Sequence, residues 1–159
     1  MNAAVLTVSD GVAGGEREDR SGALLAELLT AEGFEVGRRV VCDDRDAIAH
    51  AIRELAAAAR VVLTTGGTGV APRDVTPEAT RDVVERLAPG IPEAIRADAA
   101  ARTPHALLSR GLAGLVGSTL VVNLPGSTGG CRDGFEVLRP VLRHALELLA
   151  GEPTAHRQT

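Results

Sequence analysis

Residues 61–80, VVLTTGGTGVAPRDVTPEAT, carry the strongest structural signal in the chain. Val61 to Thr65 are apolar or β-branched without alternation, the pattern of a strand buried on both faces of a parallel sheet. Gly66, Gly67 and Gly69 follow, then the pair Arg73-Asp74. Thr76-Pro77-Glu78 next reads as a helix start, with a cap, a proline in the first turn and an acid near the positive end of the dipole. Glycines between a strand and a helix let a ligand approach the backbone, and the helix start offers unpaired N–H groups to an anion. The loop reads as an anion cradle.

The same alternation extends in both directions. On the amino-terminal side, Ala3 to Ser9 (AAVLTVS) reads as a buried strand, GVAGGERED as a loop, and Arg20 to Glu32 as a helix stopped by Gly33. Phe34 to Cys42 reads as a second strand, after which Asp43-Asp44 opens a helix through about Ala59 with Ile48, Ile52 and Leu55 on one face. On the carboxyl-terminal side, a helix is expected from Pro77 to about Leu87 and a shorter, broken one over PGIPEAIRADAAA. A hairpin is expected around Gly117 (Gly111 to Val116, Ser118 to Asn123), then a last helix from about Cys131 to Leu149 that ends near Gly151 and Pro153. Strands alternating with helices imply right-handed crossovers onto a mostly parallel sheet, and the chain carries no repeat or linker. A single domain over residues 1–159 is expected, with a flexible tail after about 151.

Composition removes several functions. The chain has 159 residues, 17 basic against 21 acidic, for a net charge of −4; every basic residue is Arg, and Phe34 and Phe135 are the only aromatics. A nucleic-acid binder needs a positive surface and usually aromatic platforms, so no nucleic-acid partner is expected. Cys42 and Cys131 belong to no metal-binding cluster, and His50, His105, His144 and His156 have no Ser or Cys partner at motif spacing, which disfavours a zinc site and a hydrolytic triad. MNAAVLTVSD has no positive leader region, and no apolar run reaches membrane length, so no membrane association and a cytoplasmic location are expected.

In an open parallel sheet, ligands bind at the carboxyl ends of the strands, near the switch in strand order. Ser9 to Gly15, Asp43-Asp44, Gly66 to Thr76 and NLPGSTGG (Asn123 to Gly130) all lie at such ends. A P-loop is excluded because its lysine is absent; the dinucleotide fingerprint and the nucleophile elbow fail on spacing. Asp43 and Asp74 would be able to share a metal if the second and third strands are neighbours, and magnesium takes one or two carboxylates plus phosphate and water. Each residue also has an ordinary structural use. Asp43 or Asp44 serves as a helix N-cap, Ser127 caps the last helix, Ser109 is a turn residue and Asn123 ends a strand.

Together VSDG with EDRSG, CDDRDAI, TTGGTGVAPRDVTPEAT, LSRGLAG and STLVVNLPGS resemble the MoaB/Mog family of molybdenum cofactor biosynthesis proteins, in order and over nearly the whole chain. The resemblance implies a three-layer αβα sandwich with a mostly parallel sheet, the molybdopterin-binding fold, assembled as a homotrimer or homohexamer. It implies molybdopterin and ATP as substrates, Mg²⁺ as cofactor, and AMP transfer to the terminal phosphate of molybdopterin with release of pyrophosphate. Other molybdenum cofactor biosynthesis proteins would be its partners. Carried over by residue, Asp43 and Asp74 are the catalytic and metal-holding acids. Gly66, Gly67, Thr68, Gly69, Arg73, Thr76, Ser109 and Arg110 bind molybdopterin and phosphate, and Ser9, Asp10, Asn123, Pro125, Gly126 and Ser127 bind the nucleotide. The chain departs from the family where Cys42 replaces a proline, and where Thr128-Gly129-Gly130 replaces a proline-containing run and loosens the nucleotide loop. A non-catalytic molybdopterin-binding protein and a pyrophosphatase-like domain are the competing readings.

Overall fold

A computed structural model describes residues 1–151. Six strands form one sheet: β1 (Asn2–Val8), β2 (Glu35–Val41), β3 (Val61–Thr65), β4 (Arg86–Leu87), β5 (Ala113–Val116) and β6 (Thr119–Leu124). Their order is β2-β1-β3-β6-β5-β4; the first four are parallel, and β5 and β4 add an antiparallel border. Each central strand feeds both faces because side chains alternate along it. Ala3 and Val5 of β1 join the core beneath α2 (Arg20–Ala31), α5 (Gly90–Ala100) and α6 (Thr128–Leu149). Ala4, Leu6 and Val8 join the opposite core beneath α3 (Arg45–Ala58) and α4 (Thr76–Arg81). This is the expected three-layer sandwich.

Local chemistry explains the element ends. Asp44 caps α3 by accepting from Ala47 N at 2.8 Å, and Ser127 caps α6 by accepting from Gly130 N at 3.1 Å. Gly117 has φ of +56° in the turn between β5 and β6, and Gly151 has φ of +72° just past α6. On α6, Phe135, Leu138, Leu142 and Leu146 face the sheet at helical spacing and are buried. The sheet's two borders differ from its centre. β2 exposes Glu35, Gly37, Arg38 and Val40 and half-buries Arg39, with Arg38 paired to Asp19 and Arg39 to Glu54, and β4 is two residues long.

Four expectations need correction. The helix expected to reach Leu87 stops at Arg81, since Val83 N and Val84 N both return to Thr80 O and the chain turns out to become β4. Gly114 permits that strand's approach, because a Cβ there would lie 2.8 Å from Arg86 O. The segment from residue 90 is one unbroken helix, α5, with Pro92 tolerated in its first turn. The loop after β1 begins with a short helical turn, α1 (Asp10–Ala13), capped by Ser9. Thr76 is not a cap: Val75 holds that position, and the Thr76 hydroxyl donates inward to Gly66 O at 2.8 Å. The tail after 151, with Pro153 and His156, lies outside the described residues.

Candidate functional site

The strand order reverses at β1. From it the chain passes through α2 to β2 on one side, then through α3 to β3 on the other. Crossovers that leave in opposite directions open a crevice at the carboxyl ends of β1 and β3. β2 and β3 are therefore not neighbours, which corrects the premise on which the two acids were to meet. The glycine loop spans the gap instead. Gly66 and Gly67 have φ of +98° and +66°, and this left-handed turn lays the loop over the end of β1. A Cβ on Gly66 would strike Val8 O, and one on Gly67 would strike Thr76 Oγ1 and stand 3.3 Å from Asp43 Oδ1. Gly69 has ordinary dihedrals, but a Cβ there would lie 2.9 Å from Asp74 Oδ2. The loop thus carries one acid at each shoulder.

Both carboxylates are half tethered and half free. Asp43 Oδ2 accepts from Asp10 N at 2.8 Å, while Asp43 N donates to Asp10 Oδ1 at 3.0 Å, a reciprocal clasp between the ends of β1 and β2. Asp74 Oδ2 accepts from Ala71 N at 2.9 Å. Neither Asp43 Oδ1 nor Asp74 Oδ1 has a hydrogen-bond donor among the described residues. Since Asp44 caps α3, Asp43, the first acid of the pair, is released from that work. Arg73 closes the front of the clasp, with Nε donating to Asp10 Oδ2 at 2.6 Å and Nη2 to Asp43 O at 3.3 Å. The Arg73 guanidinium, helped by Asp43 N–H, holds the Asp10 carboxyl below its usual range.

A second set of residues braces this loop. Arg110 N donates to Thr68 O at 2.8 Å, its Nε to Gly69 O at 2.7 Å and its Nη2 to Asp74 O at 2.6 Å. Its Nη1 pairs with Glu78, whose carboxyl the guanidinium lowers. Arg110 is therefore a clamp on the cradle. Thr76 is fully buried and bonds the loop's first residues. Asn123 is also buried, donating to Thr64 Oγ1 and Thr80 Oγ1 at 2.9 and 3.0 Å and accepting from Leu112 N at 3.2 Å. Thr76 and Asn123 position the loops from beneath, and their side chains do not open onto the crevice. Ser109 is half-buried and lines, with Arg81, Arg96 and Arg110, a cleft on the other side of the clamp.

The NLPGS loop meets the glycine loop from the far side of β3. A Cβ on Gly126 would stand 3.3 Å from Gly66 Cα. Pro125 O accepts from Thr65 Oγ1 at 2.7 Å and from Cys131 Sγ at 3.0 Å; burial pushes the Cys131 thiol up to about 11, leaving it an inert donor. Gly126 and Thr128 share a cleft of about 500 Å³ with Ser9 and Arg17, within the usual size of a small-molecule site. Arg17 Nη2 donates to Ser9 Oγ at 3.2 Å. Sequence reasoning missed Arg17 because it sits among Glu16, Glu18 and Asp19, where charges of both signs read as a solvated loop.

Residues 4–144 match the family described as "Probable molybdopterin binding domain". The chain is 40% identical over 159 residues to the molybdenum cofactor synthesis protein cinnamon of Drosophila melanogaster, covering 98% of this chain and 26% of that protein. It is 36% identical to a molybdopterin adenylyltransferase of Helicobacter pylori, covering 92% of this chain and 86% of the relative. It thus spans about a quarter of the first relative and most of the second. The crystal structure of the molybdopterin biosynthesis enzyme MoaB from Thermus thermophilus superposes with a TM-score of 0.88 at 44% identity, over 96% of this chain and 98% of that one.

Proposed function

Because the chain belongs to the MoaB/Mog family of molybdopterin-binding proteins, we propose that it serves molybdenum cofactor biosynthesis as a molybdopterin adenylyltransferase. In this reaction an oxygen of the terminal molybdopterin phosphate attacks the α-phosphorus of ATP. The bond from that phosphorus to the bridging oxygen breaks, and pyrophosphate leaves. The observation that carries the reading is the pair Asp43 and Asp74, each with one oxygen fixed by a backbone N–H and the other free, on either shoulder of the glycine loop.

That donor set fits magnesium. Among the described residues no group of three or more ligating side chains exists, and magnesium needs only one or two carboxylates beside phosphate and water. Asp43 and Asp74 would hold it, and when bound it neutralises charge developing on the phosphate oxygens. The chain's own residues do the rest by position. Gly67 and Gly69 bring the backbone close to the pterin phosphate, Arg73 keeps Asp10 and Asp43 in register, and Arg110 and Thr76 hold the cradle still. The cleft between Ser9, Arg17 and the NLPGS loop takes the nucleotide. Catalysis is positional and electrostatic, with no covalent enzyme intermediate.

Incubation of the purified protein with ATP, MgCl₂ and molybdopterin tests the reading: adenylylated molybdopterin and pyrophosphate should appear together. Pterin binding without product would make the chain a carrier, and pyrophosphate release without pterin would make it a hydrolase. Self-assembly to a homotrimer or homohexamer belongs to the same proposal. An apolar groove between α5 and α6, flanked by exposed Val141 and Leu148, supports it. Light scattering at micromolar concentration should return a multiple of the 16.4 kDa chain mass, not the chain mass itself.

A further inference from the structure

The cleft of about 500 Å³ and the two acids lie on opposite sides of one ridge. Ser21 of α2 and Thr128, which begins α6, line the cleft, so it opens above the layer of α2 and α6. Asp43 and Asp74 stand just before α3 and α4, above the other layer. Between them run the end of β1 and the first glycines of the loop, since a Cβ on Gly66 would strike Val8 O. The chain crosses this ridge at Ser9-Asp10. Ser9 continues the alternation of Ala3 and Val5 and reaches the cleft, while Asp10 clasps Asp43.

Arg17 is held at that crossing. Glu16 N and Arg17 N both donate to Gly11 O, at 2.9 and 3.1 Å, after a turn at Gly15 with φ of +76°. Asp19 ties down the far end of the loop, its carboxylate accepting from Thr7 Oγ1 at 2.9 Å, Gly22 N at 2.9 Å and Arg38 Nη2 at 2.6 Å. The guanidinium folds back over Gly11, where a Cβ would lie 2.8 Å from Nε, and Nη2 donates to Ser9 Oγ at 3.2 Å. Among the described residues no carboxylate pairs with Arg17, and the rest of its fork is free. The Ser9 hydroxyl accepts from Arg17 and from Val12 N, so its own proton has no acceptor among those residues. In number Glu16 and Glu18 balance Arg17 and Arg20, and Glu18 pairs with Arg20 at 3.4 Å, so the cleft calls for no counter-ion of its own. What singles out Arg17 is the place where its fork is held.

We infer that Arg17, with the Ser9 hydroxyl, binds the β- and γ-phosphates of ATP and receives the leaving pyrophosphate, an assignment that rests on the adenylyl transfer proposed above. In phosphoryl transfer the attacking and leaving oxygens stand in line across the phosphorus. The terminal phosphate of molybdopterin attacks from the side of the acids and the clamped loop. The leaving oxygen therefore points across the ridge to the cleft side, where Arg17 stands. As the bond from the α-phosphorus to the bridging oxygen breaks, that oxygen keeps the electron pair and the pyrophosphate gains the negative charge. Fixed N–H donors stabilise this charge without giving up a proton, and a planar fork meets two phosphate oxygens at once.

Equilibrium dialysis of the full chain against ATP, AMP and inorganic pyrophosphate, each with MgCl₂ and without molybdopterin, tests the assignment. Arg17→Gln should weaken ATP and pyrophosphate about tenfold, the worth of one charge-assisted hydrogen bond, and leave AMP unchanged. Arg17→Lys, which keeps the charge and loses the fork, should fall between. Gly11→Ala, whose methyl pushes the guanidinium aside, should reproduce the selective loss and add nothing to Arg17→Gln. With molybdopterin present, Arg17→Gln should raise the KM for ATP and not that for molybdopterin. Unchanged ATP binding in Arg17→Gln, or ATP and AMP weakened alike, overturns the role of Arg17 and leaves the adenylyltransferase reading standing. Failure of the parent to bind ATP and pyrophosphate overturns both.

Discussion

In the loop after β3, the carbonyls of Gly66, Gly67, Thr68, Gly69, Ala71 and Asp74 each accept a hydrogen bond, from Thr76, Arg110 or Asp74 itself. In the loop after β6, Pro125 O is held by Thr65 and Cys131, and Ser127 caps α6, but Gly126, Ser127, Thr128 and Gly129 stand exposed with little else to fix them. The two loops touch at Gly66 and Gly126, yet one is clamped from every side and the other is anchored only at its ends. Preorganised donors and carboxylates matter most where charge develops, because a fixed group pays no reorganisation during reaction. A compliant loop suits the partner that must enter and leave. Under the proposed reaction the clamped loop would serve the phosphate chemistry and the looser one the nucleotide.

The largest effect should come from the clamped side. Asp74→Asn is expected to lower AMP transfer on the order of 10²-fold or more with the fold intact, and Asp43→Asn likewise; near-normal turnover in the folded variants would remove the acids from the mechanism. Asp44→Ala is the control, costing about 0.5–2 kcal/mol of helix-cap stability while sparing the rate. Arg110→Met strips the side-chain clamp and leaves two carbonyls, Gly69 O and Asp74 O, short of a donor, while the backbone bond to Thr68 O stays. A loss of about 1–3 kcal/mol in chemical denaturation is expected, together with weaker molybdopterin binding and an unchanged KM for ATP. A raised KM for ATP would break the division between the loops.

The two glycines of the cradle separate shape from contact. Gly67→Ala should cost on the order of 1–2 kcal/mol because its φ is left-handed, and more where the new methyl meets Thr76. Gly69→Ala carries no such backbone penalty, so its effect should appear as lost pterin affinity and displacement of the Asp74 carboxylate, read by titration beside thermal unfolding. On the looser side, Ser127→Ala should cost about 1 kcal/mol as a lost cap and raise the KM for ATP more than that for molybdopterin.

The smallest effect concerns acid. The Asp10 carboxyl is lowered in the folded chain by Arg73 and by Asp43 N–H, so its contribution is complete above the unfolded value near 3.8 and fades as pH falls through the lower folded value. Melting temperature should drop along that descent, and Asp10→Asn should remove this part of the slope. An unaltered slope would mean that the clasp between β1 and β2 contributes nothing to stability.

Much of this architecture was legible beforehand, for reasons that particular residues make plain. VVLTT could only be a strand covered on both faces, and a strand so covered needs helices above and below it. Gly117 and Gly151 marked their turns because no other residue adopts those dihedrals cheaply. Arg86–Leu87 was not legible, since a two-residue strand has no period and the helix start at Thr76-Pro77-Glu78 suggested continuation. Strand order was hidden too, because which strands pair is fixed by tertiary packing and not by any local pattern. Asp43 and Asp74 were singled out without it. That the glycine loop crosses the end of β1 and so lies against both of them was not legible. The family resemblance offers Thr76, Asn123 and Arg110 as ligand contacts, whereas the structure shows Thr76 and Asn123 as buried braces and Arg110 bonded to the loop's carbonyls, a distinction that residue identity alone does not carry.

The two borders of the sheet bear on how the protein behaves when crowded. A sheet edge offers a row of unpaired N–H and C=O groups on which a foreign strand can grow, and an exposed, flat, apolar edge is a seed for fibrils. Here one border, β2, carries Glu35, Arg38 and Arg39 with ion pairs laid across it, and the other, β4, ends after two residues, one of them Arg86. Neither is long and apolar enough to recruit another chain by main-chain pairing. The assembly proposed above would then use helix faces, where it can close on itself and stop, and the apolar strands VVLTT and TLVVNL, buried along their whole length, become hazardous only when the sheet itself comes apart.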